Sequence, residues 1–382
     1  MNYIILTILA GLSIAPFLFL KLNIWTAQGF WSHLGIIVLF FCSFLQNPKN
    51  PNTVNKPLGF FYIWVAVTTF IIIFKILLKN SYDVQHFIQY FNLLSVLLFY
   101  RFVTQYLDDD LICKSKVVIK YVLLFNSFVA ILQFLGYSQF FELLFKWNQS
   151  LNNLAVGMLG NGTHLSGFLA MLSPVLFTKK REDILSLILL FCVLCIVGTT
   201  KYEPALNGFV ILASCALFYT LNINKKAFFI ALLVIGIVLV TAYIVIPKDY
   251  IPILLRDNSR VVVWKEWFPI LKGNFILGVG LGSINLIVPT TAIKNAYHMH
   301  LEFYHYLIEL GIIGGILIVN IVLDFFKTRN NDVLVFKTIV VGFLVSCFFT
   351  YPTHLWMPTM FGAFSYAVVK GQDGRFYEKT NS

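Results

Sequence analysis

From Pro247 to Gly311 the chain reads PKDYIPILLRDNSRVVVWKEWFPILKGNFILGVGLGSINLIVPTTAIKNAYHMHLEFYHYLIELG. It is the only long segment between hydrophobic runs, and it gathers Arg256, Arg260, Lys265, Lys272, Lys294, His298, His300, Glu302 and Glu309. In a chain of 382 residues that is 59% hydrophobic and 12% charged, keeping a loop soluble does not require such a concentration. A mean hydropathy of +0.81 excludes a water-soluble globule, because the residues left over cannot assemble a water-facing surface. The expected fold class is therefore all-α, a polytopic integral membrane protein.

A spanning helix needs about 20 largely apolar residues, and about twelve such runs can be marked. They lie near 3–20, 30–46, 59–78, 86–106, 117–136, 157–178, 184–198, 205–222, 227–246, 302–325, 333–350 and 356–370. Lysine and arginine collect in alternate links: Lys49 and Lys56, Lys114 to Lys120, Lys179 to Arg181, Lys225 and Lys226, Lys327 and Arg329, and Lys370 to Lys379. By the positive-inside rule these links, and both termini, are cytoplasmic. That accounts for the net charge of +11 without nucleic acid. The expectation is one integral membrane domain over 1–370, a disordered cytoplasmic tail at 371–382, and one long outward, periplasmic loop at about 247–301.

Inside the loop, Ser259 to Leu271 reads as a short interfacial helix closed by Pro269. Arg260, Trp264 and Trp267 fall at i, i+4 and i+7 and share one face. Tryptophan favours the headgroup level, so this face offers a guanidinium where a lipid phosphate sits. Gly273, Gly278, Gly280 and Gly282 then read as a flexible return to the membrane.

Arg256 and Arg260 suit an anion, since arginine stays charged and holds phosphate bidentately; the alternative is two exposed arginines meeting headgroups. Lys201, at the outward end of the 184–198 run, is a candidate second cation, or a snorkelling lysine paired with Glu203. His298 and His300 precede the run that starts at Glu302, and a histidine there can take a proton from a hydroxyl. A metal site is the rival reading of this HxH, but on a helix its imidazoles point about 200 degrees apart. Glu302 and Glu309, seven residues apart, share a face. Glu309 falls inside the membrane, where a carboxylate needs a polar partner, and a cation from the outer loop is the obvious candidate. Gly311, Gly314 and Gly315 read as packing residues. Asn161 and His164 open the 157–178 run and line the same cavity or simply cap a helix. Cys192 and Cys195 have CxxC spacing but lie in an apolar helix without a second ligand pair. No nucleotide-binding motif or soluble domain is evident, so the energy for any reaction must arrive in an activated substrate.

Three pieces resemble the bacterial O-antigen polymerase and O-antigen ligase superfamily. Arg260 and Trp264 followed by Phe275-Ile-Leu-Gly-Val-Gly-Leu-Gly-Ser are similar to its arginine helix and "PlxGvGxG" turn. His300-Leu-Glu-Phe-Tyr-His-Tyr-Leu-Ile-Glu-Leu-Gly-Ile-Ile-Gly is similar to its "HNxyLexxxExGxxG" pattern, which registers His300, Glu302 and Glu309. Gly160-Asn-Gly-Thr-His resembles an earlier glycine and asparagine element. The likeness covers about 155–350. The family usually has Asn where this chain has Leu301, so His298 stays beside His300 as the alternative equivalent, and it has "SR" where this chain has Thr200-Lys201.

The resemblance implies inverting, metal-independent glycosyl transfer, with no cofactor. The donor would be an undecaprenyl-pyrophosphate-linked oligosaccharide on the outer face of the inner membrane. Arg260, Arg256 and Lys201 would hold the pyrophosphate, and His300 would act as base, with Glu302 beside it. Trp264, Asn161, His298 and Glu309 would line the substrate. Repeat-unit polymerisation for O-antigen or capsule is the leading expectation, with a chain-length regulator as a candidate partner. Ligation to lipid A core is the alternative, and a lipid-linked sugar flippase or transporter the second.

Overall fold

The computed structural model describes residues 1–18, 24–46, 48, 56–79, 84–137, 155–177, 180–200, 202–223, 267–282, 301–328, 332–348 and 352–381. No strand occurs among the described residues. The long helices are α1 (Asn2–Leu18), α2 (Ile24–Ser43), α3 (Lys56–Lys79), α4 (Val84–Tyr106), α5 (Asp109–Leu132), α6 (Gly162–Leu172), α7 (Arg181–Thr200), α8 (Tyr202–Ile223), α9 (Glu302–Lys327), α10 (Leu334–Ser346) and α11 (Trp356–Asn381). The apolar runs marked in the sequence fall on these helices, except that near 227–246, which lies outside the described residues.

Among the described residues, five stretches are long and apolar enough to cross a membrane: Thr26–Ser43, Asp109–Tyr137, Arg181–Thr199, Pro204–Asn222 and Glu302–Lys327. Asn2–Leu18, Pro57–Phe70, Gly162–Leu176 and Leu334–Ser346 are apolar but shorter. The lateral surface fits a bilayer. On α9, Ile316, Val319, Leu323 and Phe326 are exposed at spacings of three and four, which makes one apolar stripe along the helix. On α7, Ile184, Leu185, Ile188 and Phe191 do the same. Stripes of this kind are untenable in water and ordinary against lipid tails.

The main core joins α1, α4, α5, α6, α10 and α11 through Leu9, Phe99, Phe168, Phe336, Phe361 and Phe364, all buried. Helix α5 begins at an N-cap, Asp108, whose side chain accepts from the Leu111 N–H at 2.7 Å. Asn2 donates to both oxygens of the same carboxylate at 2.9 Å, tying the start of α1 to it. The 155–161 segment before α6 has only a short 3-10 turn, Gly157–Leu159, yet is buried over most of its length. In an apolar medium its backbone needs internal partners. Side chains supply them: Gln133 accepts from the Val156 and Gly157 N–H groups at 2.9 and 2.8 Å. Asn126 accepts from the Met158 N–H at 3.3 Å, and Gln28 donates to the Met158 carbonyl at 2.9 Å.

The chain beyond Lys370, expected to be disordered, continues as helix to Asn381. Lys370 is a hinge of charge there, paired with Asp324 of α9 at 2.9 Å and with Asp373 at 3.7 Å. These contacts fasten the first turn of the polar extension to the bundle.

Candidate functional site

Helix α9 opens at Leu301, an N-cap without a side-chain hydrogen bond. The orphan N–H of Glu302 is taken up instead by the Cys347 carbonyl at the end of α10, at 2.9 Å. This bond fixes the first turn of α9 against the link between α10 and α11. Glu302, His305 and Glu309 then fall at i, i+3 and i+7 on the inward face and are 2%, 3% and 1% exposed. The seven-residue spacing of the carboxylates thus places both in one site, as the sequence suggests.

The link contributes the rest of the site. In the short Pro352–His354 turn, Thr353 gives both its N–H and its hydroxyl to Glu302 Oε1, at 3.0 and 2.6 Å. Tyr306 donates its hydroxyl to Thr353 Oγ1 at 2.9 Å, completing a directed chain of donors that ends on the carboxylate. Oε2 of Glu302 is buried and has no hydrogen-bond partner among the described residues. One turn further along, His305 Nε2 lies 3.4 Å from Glu309 Oε1 and 3.3 Å from His354 Nε2. A single ring nitrogen carries at most one proton, so His305 can donate to only one of these neighbours at a time. Burial first, and the neighbouring His305 second, push the His354 imidazole down to about 3, which keeps it neutral at ordinary pH.

These groups border a cavity of about 270 Å³ between α3, α4, α9, α10 and α11. Glu302, Glu309, Thr353, His354, Tyr306 and Asn92 give it its polar side. The remaining wall is aliphatic and aromatic, with Phe61, Phe303 and Trp356 among its residues. Among the described residues no three His, Cys, Asp or Glu side chains converge as a metal site would require.

Glu309 sits where α9 is broken. Gly311 has φ +67° and ψ −173°, a conformation essentially restricted to glycine. Several backbone groups freed there find partners outside the helix. The Ile308 and Glu309 carbonyls accept from the Val279 and Gly280 N–H groups at 2.9 and 2.7 Å, and the Ile312 N–H donates to Phe275 O at 2.8 Å. The Leu310 carbonyl takes the indole N–H of Trp64, from α3, at 3.0 Å. The 274–282 segment therefore docks onto the break by main-chain bonds, and the glycines expected to be a flexible return are a built clasp. At Gly278, also at positive φ, a Cβ would collide with the Glu309 carbonyl. Gly311 is required by backbone conformation, not simply by helix packing.

The preceding helix also differs from expectation. It runs through Pro269 to residue 273, and Trp267 is 0% exposed. Trp267 packs with Leu271 on Ile308 of α9, beside Tyr304 and Leu307. Its ring belongs to the core under the clasp, not to a headgroup-facing surface. Arg260 and Trp264, the other members of the expected face, lie outside the described residues.

Of the residues singled out from the sequence, Glu302 and Glu309 meet at the cavity. Asn161 is exposed and caps α6, its Oδ1 accepting from the Thr163 N–H at 2.8 Å; it does not line the cavity. His164 is buried on the far side of Pro352, in a second, much smaller cavity with Ser346 and Leu355. Lys201, Arg256, Arg260, Trp264, His298 and His300 lie outside the described residues. Of the loop cations expected beside Glu309, Lys272 is exposed and the others lie outside the described residues; the titratable group facing that carboxylate within them is His305. Sequence reasoning passed over Thr353 and His354, although a Pro-Thr-His link between two apolar runs was a visible signal. No protein-family model matches this chain, and no curated protein matches it.

Proposed function

We propose that this protein is a membrane glycosyltransferase that uses a glycan carried on undecaprenyl pyrophosphate, and that it extends O-antigen or capsule repeat units at the outer face of the bacterial inner membrane. The observation that carries the reading is the pair of buried carboxylates, Glu302 and Glu309, on the inward face of α9, bordering a largely apolar cavity and clasped by the 274–282 segment. That segment and the head of α9 belong to two of the three stretches whose sequence resembles the polymerase and ligase superfamily.

In this reading the acceptor hydroxyl attacks the anomeric carbon. A new carbon–oxygen bond forms as the bond to the diphosphate breaks, and the diphosphate leaves with the electron pair. Arg260, Arg256 and Lys201 neutralise the departing charge, and His300 takes the hydroxyl proton. Glu302 lies two residues beyond His300 in the chain. No cofactor or metal enters the scheme. Ligation to lipid A core uses the same chemistry with another acceptor, and a chain-length regulator is the proposed protein partner of a polymerase.

Reconstitution of the purified protein with lipid-linked repeat units tests the proposal by chain growth. Loss of more than about tenfold, roughly 1.4 kcal/mol, is expected for both Arg260→Ala and His300→Ala; smaller losses in both overturn the assignment. A transporter is the second reading, favoured by one observation. Gly311 lies about 14 Å along α9 from Glu302, so a broken helix and buried ionisable groups occur at membrane depth, as in many secondary transporters. Movement of lipid-linked sugar between leaflets without chain growth would select it.

A further inference from the structure

The glycosyl-transfer reading names a reaction but not the place where a sugar hydroxyl is held. Glu302 spends one oxygen on Thr353, which meets it with two donors at 3.0 and 2.6 Å. The other oxygen, Oε2, is buried without a partner among the described residues. A buried carboxylate oxygen left unpaired is costly, so its presence on a residue that lines the cavity points to a donor that arrives with a ligand. The polar groups beside it identify that donor. Asn92, Tyr306, Thr353 and His354 each give and accept hydrogen bonds, and the second carboxylate on the wall, Glu309, already faces His305 at 3.4 Å, a setting that suits hydroxyls better than an ammonium group. Aromatic and aliphatic side chains form the rest of the wall. A volume of about 270 Å³ is at the small end for ligand pockets, enough for a sugar-sized head but not for an oligosaccharide.

We propose that this cavity binds the hydroxyl-bearing head of an amphipathic molecule through Glu302 Oε2, and that Thr353 is the positioning residue which turns that oxygen to the ligand. The inference deepens, and rests on, the glycosyl-transfer reading insofar as the head is a sugar. Two donors on Oε1 leave the carboxylate little freedom to rotate, so the acceptor is set in place before the ligand enters. Tyr306, hydrogen-bonded to Thr353 Oγ1 at 2.9 Å, holds the threonine hydroxyl aimed at Glu302.

The test uses the full chain in lipid nanodiscs and radiolabelled n-octyl β-D-glucoside, with empty nanodiscs as the partition control. Saturable binding is expected in the wild type. It should weaken about tenfold in Glu302→Gln and about fivefold in Thr353→Val, while Thr353→Ser, which keeps the hydroxyl, stays within about twofold of wild type. A competitor of the same chain length whose head accepts but cannot donate, n-octyl-N,N-dimethylamine oxide, should displace the glucoside poorly. Wild-type affinity in both Glu302→Gln and Thr353→Val, absence of a saturable component, or equal displacement by the amine oxide each overturns the proposal. The competition needs no variant and so decides even if Thr353→Val fails to fold. Because nothing turns over, the two ideas fail separately. Chain growth without saturable glucoside binding sinks this site and leaves the transfer reading, and binding without chain growth does the reverse.

Discussion

Replacing Gly311 by alanine should destabilise the protein, and the sign of the effect is diagnostic. In an unbroken helix alanine is worth about 1 kcal/mol more than glycine, so a continuous α9 would gain from the change. At φ +67° and ψ −173° the same substitution forces a Cβ into the Ile276 carbonyl and imposes about 1–3 kcal/mol of backbone strain. Should α9 relieve that strain by straightening, it forfeits the bonds of the clasp: Val279 N–H to Ile308 O, Gly280 N–H to Glu309 O and Ile312 N–H to Phe275 O. At about 1 kcal/mol each, the loss is again about 3 kcal/mol. Both routes destabilise by up to about 3 kcal/mol, a fall of up to about 6–12 °C in melting temperature if each kcal/mol is worth about 2–4 °C. Thermal unfolding in a mild detergent, followed by the burst of thiol labelling at buried Cys215 and Cys347, measures it. An unchanged or raised melting temperature would refute the broken helix, because at that φ and ψ a methyl group has to be penalised.

Three further outcomes follow from the same geometry. Gly278→Ala presses on the Glu309 carbonyl from the clasp side, so combining it with Gly311→Ala should cost clearly less than the two single changes added together; strict additivity would mean that the two glycines do not serve one lock. Gln133→Leu removes the acceptor for the Val156 and Gly157 N–H groups and should cost about 2–4 kcal/mol, read by the same melt; a loss under about 0.5 kcal/mol would show that the 155–161 backbone is held by other means. His354 is pushed down to about 3 in the folded protein against about 6.5 unfolded. The unfolded chain therefore takes the proton first, and stability contributed by this site is complete above pH 6.5 and lost as pH falls toward 3. At pH 5.5 that loss is about 1.4 kcal/mol, and His354→Gln should flatten the fall in melting temperature between pH 7.5 and 5.5; parallel curves for the two proteins would contradict it.

Much of the fold is legible in the chain because lipid makes one demand, about 20 apolar residues per crossing, and that demand is local. The run near 302–325 coincides with α9 for this reason, whereas the run near 333–350 gives a helix of only 13 residues, α10. The spacing of Glu302 and Glu309 is equally local, and it correctly put both carboxylates on one face. What escaped is non-local or conformational. Thr353 reaches Glu302 across 51 residues of sequence, and no periodicity announces such a pair. The hydrophobic pattern of α9 runs on past Gly311 without interruption, so a break set by one φ angle left no trace in it. For the same reason Gly278 read as slack when it is a point of close approach. Trp267 was assigned to the headgroup region from residue preference alone, and tertiary packing on Ile308 overrode that preference. The polar tail after Lys370 lacks an apolar face, and its helix starts from α11 and from the pairing of Lys370 with Asp324 and Asp373.

Helix α10 carries a consequence of its own. Its 13 residues rise only ~20 Å, about 10 Å less than the hydrocarbon thickness of an ordinary bilayer. Were this helix to cross such a bilayer, the shortfall would be met by irregular chain at its ends and by an inward dip of the lipid surface, the usual responses to hydrophobic mismatch. The end that leads to Cys347 is also the end that meets Glu302. A thinned annulus on that side would carry the polar boundary of the membrane down toward the cavity mouth, so that a lipid-borne molecule need not lift its head out of the leaflet to reach the carboxylate.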